Sequence, residues 1–511
     1  MLKEPNYYAR LGIPIDATPE EIRRAYREAA LRLHPDANQA HGHTDLFMKV
    51  QEAYEVISDL IKRAAYDVTL SPEVTNPPAV TTTVLYSRKA IPILTEPQLI
   101  YGLLELKTRP DTAETPGPPI NFCLVLDCST SMSGVMMDTV KDTAIEILRQ
   151  LRQQDLFSLV TFSDNAKLLV PAGTHLERTK VETSIRMLRT SGGTEMLKGL
   201  EMGYNSVQSN YQQDFINHVI LITDGNTYGD EEGCLQISGQ AKTRGIGISA
   251  LGIGNKWNDT FLDKLTTRTG GSTTYVTKPK DIHDYLREKF LNLGKSYADH
   301  VSLNLDLYPE VELKYACRLE PETAVLETHY PMQLGPIPRN GALEILLEFQ
   351  VGQIPSDQTS FILGYGLITL DIPARTSPLY TMRLNLERPI STTQEEELPP
   401  LPIIQALSKV TLYRMQEQVQ EQVASGKVKE AAHQLKFLAT NLLSLGEREL
   451  AQTVLNEAAH LQEHHEISES GKKRIKYGTR ALLLPRTIPS SNELNHHETG
   501  RNSGNKGGDD N

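Results

Sequence analysis

The hydrophobic pattern along the chain changes period several times, and each change marks a boundary. Between residues 18 and 57 apolar positions recur at helical spacing. Ile22, Ala25, Tyr26, Ala29 and Leu33 fall on one face of a helix that opens at Thr18-Pro19-Glu20-Glu21. Thr18 and Glu21 have the spacing of a capping box, and Pro19 suits the first helical position. Arg23, Arg24 and Arg27 lie on the other side. His34-Pro35-Asp36 ends this helix, because Pro35 restricts the residue before it. A second amphipathic helix begins near Asp45, with Phe47, Val50, Tyr54 and Ile57 on its apolar face. Residues 71–79 are a proline-rich linker. Residues 80–86, 90–94 and 99–107 are then rich in Val, Thr, Ile and Leu and predict β-strands.

From 120 to 293 strand-like and helix-like runs alternate. Strands are predicted over 120–126, 156–162, 219–223, 246–253 and 273–276. Helices are predicted over 135–151, 179–189, 196–207, 235–243, 260–269 and 282–293. That order implies a doubly wound, Rossmann-like α/β sheet. Past residue 296 strand patterns return, over 301–307, 311–315, 324–327, 342–349, 360–371 and 380–386. Long exposed sheet edges are a liability, so the strands before Pro110 are expected to join these in one β-sandwich with the α/β domain inserted in it, the alternative being a separate small β-domain after the α/β domain. Residues 403–424, 427–444 and 448–464 read as helices of a small bundle or lid. From Ser468 the polar composition predicts a disordered tail. It is interrupted by Lys472-Lys473-Arg474 and Ala481-Leu482-Leu483-Leu484, which read either as a docking motif or as a helix end with no role. The chain thus divides into a multidomain protein: all-α 1–70, linker and strands 71–118, α/β 119–294, sandwich 295–395, helical 396–466 and tail 467–511.

Composition narrows the function. The 511 residues carry a formal net charge of −12, which argues against a nucleic-acid role with its basic footprint. No apolar run reaches the roughly 18 residues of a membrane span, and the first residues lack the apolar core of a secretory signal. The four cysteines form no C-x-x-C pair and read as buried or free thiols in a reducing, cytoplasmic setting.

The candidate chemistry lies in three short stretches. Asp127-Cys128-Ser129-Thr130-Ser131 follows an apolar strand and precedes a helix. A carboxylate and two hydroxyls at alternate positions offer hard oxygen ligands suited to magnesium or manganese. Ser191-Gly192-Gly193-Thr194 lies in a loop, and Thr223-Asp224-Gly225 closes another apolar strand. Together these stretches resemble the von Willebrand factor type A domain with its metal-ion-dependent adhesion site. The resemblance implies that Ser129, Ser131 and Thr194 are hydroxyl ligands of Mg2+ or Mn2+. Asp127 and Asp224 would be the carboxylates, often acting through water, and a partner's acidic side chain would complete the shell. Cys128 should point away from the ion. The plainer alternative is a type A domain that has lost its metal and only packs.

The N-terminal stretch resembles the J domain of DnaJ-type co-chaperones. The residues that carry this are Tyr7-Tyr8, Leu11-Gly12, the basic helix, His34-Pro35-Asp36, Glu52-Ala53-Tyr54, Ile57-Ser58-Asp59 and Tyr66-Asp67. The resemblance implies that His34, Pro35 and Asp36 stimulate a DnaK-type heat-shock ATPase. Arg23, Arg24 and Arg27 would dock its acidic face. Ala37-Asn38 follows the tripeptide where a basic residue is frequent, and no Gly/Phe-rich linker or zinc-binding cysteine repeat comes after. The expectation is a non-enzymatic, specialised co-chaperone that binds a protein client through the metal site. Alternatives are a metal-dependent hydrolase or assembly-factor subunit with the J domain as a dock, and an adhesion protein outside the cell.

Overall fold

The computed structural model describes residues 6–33, 43–70, 78–109, 117–173, 177–227, 229–354, 359–375, 378–392 and 398–482. His34, Pro35 and Asp36 lie outside these residues.

The N-terminal module has helices α1 (Tyr7–Leu11), α2 (Pro19–Leu33), α3 (His43–Ile57) and α4 (Leu60–Thr69). The capping box at the start of α2 forms: the Thr18 amide donates to Glu21 Oε2 at 2.7 Å, and the Glu21 amide donates to Thr18 Oγ1 at 3.3 Å. Tyr8, Leu11, Ile22, Ala29, Val50, Ala53 and Ile57 make a small core, on whose border Tyr26 stacks on Tyr54 at 4.1 Å. Arg23, Arg24 and Arg27 stay exposed.

Strands β1 (Val80–Tyr86), β2 (Ile91–Pro92) and β3 (Gln98–Thr108) come next, before the α/β domain. That domain runs β4 (Ile120–Asp127), α5 (Val135–Gln150), β5 (Leu156–Phe162), β6 (Ala166–Gly173), α6 (Arg178–Arg186), α7 (Met196–Ser209), β7 (Ile216–Thr223), α8 (Glu231–Arg244), β8 (Gly247–Ile253), α9 (Asp259–Thr267), β9 (Thr273–Val276) and α10 (Pro279–Leu293). Its sheet has the order β6-β5-β4-β7-β8-β9, parallel throughout except for β6. Every residue of β4, β5, β7 and β8 is buried, because helices cover both faces. The antiparallel edge strand β6 is absent from the pattern reading; its half-exposed, polar-interrupted sequence carries no strand alternation.

The remaining strands are β10 (Ser296–Leu307), β11 (Val311–Glu320), β12 (Ala324–Val325), β13 (Met332–Pro338), β14 (Ala342–Val351), β15 (Ser360–Asp371) and β16 (Leu379–Ser391). They build two five-stranded sheets, β1-β3-β14-β11-β12 and β13-β10-β15-β16-β2, around one apolar core. Strand β3 pairs with β14 along its whole length, from Gln98↔Val351 to Lys107↔Ala342, so the α/β domain is an insertion within the sandwich. Where the chain enters and leaves that domain, Gly117 and Gly294 touch: a Cβ on Gly117 would fall 1.7 Å from the Gly294 carbonyl oxygen. Arg152 donates to the carbonyls of Gly117 and Pro118 at 2.8 and 2.6 Å. Arg318 on β11 joins the two units. Its guanidinium is buried and donates to the carbonyls of Gly270, Gly271, Leu334 and Glu322.

On the outer face of the first sheet three glutamates stand in a row, since Glu344 on β14 is directly opposite Glu105 on β3 and Glu320 on β11. Burial, then Glu320 and Glu105, push the Glu344 carboxyl up to about 7. A carboxyl that holds its proton more tightly in the fold than the unfolded value of about 4.3 favours the fold most at low pH. That contribution is lost as pH rises towards 7. Glu344→Gln is therefore expected to be more stable than the parent at pH 8, by about 1 kcal/mol after allowance for solvent screening, and no more stable at pH 4. Urea midpoints at the two pH values check this.

Four helices close the described chain: α11 (Leu401–Ala424), α12 (Val428–Ser444), α13 (Arg448–His464) and α14 (Glu469–Ala481). α11 lies on the first sheet through Ile403, Ala406 and Val410 against Leu103, Cys317 and Leu346. α14 corrects the sequence reading, which placed a disordered tail from 467. Ser468 caps it by accepting from the Gly471 amide at 2.9 Å, and Lys473, Ile475, Lys476, Tyr477 and Arg480 are buried. The buried charges of Lys476 and Arg480 are neutralised by Asp259 and Asp263 on α9.

Candidate metal centre

The parallel strands β4 and β7 are neighbours and end together, which brings Asp127 and Asp224 to the carboxyl edge of the sheet. Asp127 is fully buried. Its Oδ1 accepts from the Ser129 amide at 2.8 Å and its Oδ2 from the Thr223 hydroxyl at 2.7 Å. These bonds fix the carboxylate and curl the chain back, so that Ser129 and Ser131 face the same side. Their hydroxyls are 3.1 Å apart, and Ser131 Oγ donates to Asp224 Oδ1 at 2.7 Å. Cys128 turns the other way, into the apolar core beneath α5.

The third stretch is bound to the first. The Thr130 amide and hydroxyl both donate to the Gly192 carbonyl, at 3.2 and 3.1 Å, and the Ser191 amide donates to the Cys128 carbonyl at 2.8 Å. Gly192 has φ +79°, which a side chain would strain, and a Cβ there would strike the Asp164 carboxylate. Asp164 Oδ1 accepts from the Gly193 amide at 2.8 Å. The turn delivers Thr194 to Asp224's side of the site: its Oγ1 lies 3.2 Å from where a Cβ on Gly225 would be. Glu195 occupies the position before α7, without a side-chain cap bond, and pairs with Lys198 at 3.6 Å.

All five residues singled out in the sequence thus converge: Asp127, Ser129, Ser131, Thr194 and Asp224. Thr223 and Asp164 were missed. Thr223 sits inside the quoted Thr223-Asp224-Gly225 stretch, but its hydroxyl's role depends on which way it points. Asp164 lies in the β5–β6 turn and has no local signature.

The electrostatics are those of a site short of positive charge. Burial raises the Asp127 carboxyl above the usual range; bonds from Ser129 and Thr223 oppose this, and Asp224 adds to it. Burial likewise raises Asp224, against the Ser131 bond and the Lys256 charge. Among the described residues no three His, Cys, Asp or Glu side chains come together as metal ligands. An oxygen-only set of three hydroxyls and two carboxylates fits a hard divalent cation such as Mg2+ or Mn2+, and suits no soft metal.

At the N-terminal module the arginines are presented as anticipated, though Arg24 Nη1 lies 3.3 Å from Asp306 of the sandwich, both side chains being more than half exposed. Arg383 on β16 contacts Glu21 at 3.1 Å and Asp16 at 3.6 Å.

Comparison with known proteins agrees with this layout. Residues 6–67 match the DnaJ domain, 121–288 the von Willebrand factor type A domain and 401–485 the Sll0103-like, C-terminal alpha-helical domain. An uncharacterized protein of Synechocystis, sll0103, is 26% identical over 384 residues, covering 73% of this chain and 90% of its own. The mouse DnaJ homolog subfamily B member 14 is 50% identical over 68 residues, 13% of this chain and 18% of that protein. A von Willebrand factor type A structure from Catenulispora acidiphila superimposes with a TM-score of 0.62 at 13% identity, over 79% of this chain and 96% of that one, which establishes the shared fold. Among the described residues no helix is long and apolar enough to cross a membrane. The chain is a J-domain protein that carries a von Willebrand factor type A domain, with a β-sandwich around it and a helical domain after it.

Proposed function

We propose that this chain is a non-enzymatic, cytoplasmic co-chaperone. Its J domain recruits and stimulates a DnaK-type ATPase, and its type A domain grips a protein client through a divalent metal. The observation that carries the client half is the convergence of Ser129, Ser131, Thr194, Asp127 and Asp224 on one strand edge. Ser129, Ser131 and Thr194 would hold Mg2+ or Mn2+ directly, with Asp127 and Asp224 behind them. When bound, such an ion with few charged ligands keeps exchangeable water positions and accepts one oxygen from a partner's Asp or Glu. Asp127 orients the Ser129 loop, and Asp224 orients Ser131. Arg23, Arg24 and Arg27 form a positive face that steers an acidic ATPase surface, chiefly through encounter rate and register.

Two measurements test this. Calorimetric titration of the full chain with MnCl2 is expected to show one saturable site; no uptake of Mn2+ or Mg2+ would refute the client half. In a single-turnover assay with a DnaK-type ATPase, His34→Gln is expected to return hydrolysis to its basal rate while the parent chain accelerates it. An equal rate for both refutes the J-domain half.

A further inference from the structure

The loop that follows β8 runs beside the metal centre. Register pairs Thr223 with Gly252, so residues 254–257 emerge next to Asp224. The backbone of this loop is held from several directions. The Gly254 amide donates to the Val276 carbonyl at 2.9 Å, and Trp257 Nε1 donates to the Gly254 carbonyl at 2.8 Å. The Tyr275 hydroxyl donates to Asn255 Oδ1 at 2.6 Å. From the C-terminal domain, the Lys473 ammonium on α14 donates to the carbonyls of both Asn255 and Trp257, and sits 4.6 Å over the Trp257 ring. Lys473 itself is fully buried.

Between these tethered residues stands Lys256. Its side chain is exposed and makes no hydrogen bond or ion pair among the described residues, and the register of β8 on β7 places its backbone beside the strand end that carries Asp224. Surface lysines are usually mobile, and holding one costs entropy. Here the backbone on both sides is anchored, so the root of the Lys256 side chain is fixed beside the site and only the side chain's own freedom remains to be lost.

We propose that Lys256 is a second anchor for the anionic partner of this centre, and that Lys473 is the positioning residue that fixes it there. The partner is then a segment with two adjacent acidic side chains, one directed to the metal and the next to the Lys256 ammonium. The inference rests on the metal-dependent reading above and gives it a chemical specificity: paired acids over single ones.

The test uses the full chain with MnCl2 and two labelled, end-blocked tetrapeptides. One has adjacent Asp and Glu; the other has Gln in place of the Glu. The parent is expected to bind the di-acidic peptide about fivefold more tightly, the upper range for an exposed ion pair. Lys256→Met should bind both peptides alike, at the weaker level, while still taking up Mn2+. Lys473→Met should reduce the same preference with Mn2+ uptake retained, because the loop is released while the ligands stay in place. If Lys256→Met keeps the full preference, or if the parent takes up Mn2+ and shows none, this inference is overturned and the metal reading stands. If the parent takes up no Mn2+, both fall.

Discussion

Replacing Asp263 by alanine is expected to detach the C-terminal helical domain from the α/β domain, at a cost of about 3–5 kcal/mol. Asp263 receives two hydrogen bonds from Arg480, at 2.9 and 2.8 Å, and one ion pair from Lys476 at 2.9 Å. Arg480 and Lys476 are buried, and after the change Arg480 loses its only ion-pair partner among the described residues while Lys476 keeps Asp259. A buried charge left unpaired is far more costly than the pair was worth. The measurement is convenient, because Trp257 is the chain's single tryptophan and lies in this junction, 5.8 Å from the Tyr477 ring. Urea denaturation followed by tryptophan emission should show the junction parting much earlier in the variant. The pH dependence has a definite sign. Burial alone would raise the Asp263 carboxyl, but Arg480 and Lys476 overrule it and hold it at about 2. The stabilisation is fully present above the unfolded value of about 3.9 and is lost as pH falls from there towards 2. Parent and variant should therefore converge in strong acid and differ most near neutrality. Equal midpoints at pH 7 would contradict the account.

Asp127→Ala is expected to weaken Mn2+ uptake by about 10- to 100-fold, the range for removing a residue that orients metal ligands. The carboxylate binds both the Ser129 amide and the Thr223 hydroxyl, so its loss frees the turn that brings Ser129 and Ser131 together. Thr223→Val, which removes one of those two bonds and leaves the Ser129 tether, should have a smaller effect in the same direction. Calorimetry with MnCl2 on the three proteins gives the order directly. An unchanged affinity for Asp127→Ala would remove the site from consideration as a metal centre.

Much of this centre was legible because its instructions are local. Asp127, Ser129 and Ser131 lie within five consecutive residues, the strand before them is uniformly apolar, and a strand end is where such sheets present ligands. The Thr18–Glu21 cap was legible for the same reason. What was not legible depended on partners distant in sequence. The patch Lys472-Lys473-Arg474 reads as a docking motif or a helix end within a polar tail, and its packing is not visible there, since the groups that satisfy Lys473, Lys476 and Arg480, namely Asp259, Asp263 and the carbonyls of residues 255 and 257, are about 217 positions away. Asp164 carries no pattern, because its task is to receive the amide of Gly193 across a loop. Strand β6 is an edge strand with exposed polar positions and little alternation, and β13 is a short edge strand whose Gly335, Pro336 and Pro338 read as turn residues.

The insertion has a consequence for how the molecule comes into being. Strand β3 is finished at Thr108, but its neighbour β14 begins only at Ala342, so during synthesis β3 must wait for more than two hundred residues before it can pair fully. Closing so long a flexible loop is entropically costly and slow. The intervening sheet needs no strand from outside residues 120–276, so it can form while the ribosome is still making the rest. Once it has formed, Gly117 and Gly294 are side by side, and a loop of that length is reduced to a short link. The α/β unit is in this sense a scaffold for assembling its own surroundings. A variant that delays its folding should leave β3 as an unpaired edge in the nascent chain, open to proteolysis and to pairing with other copies.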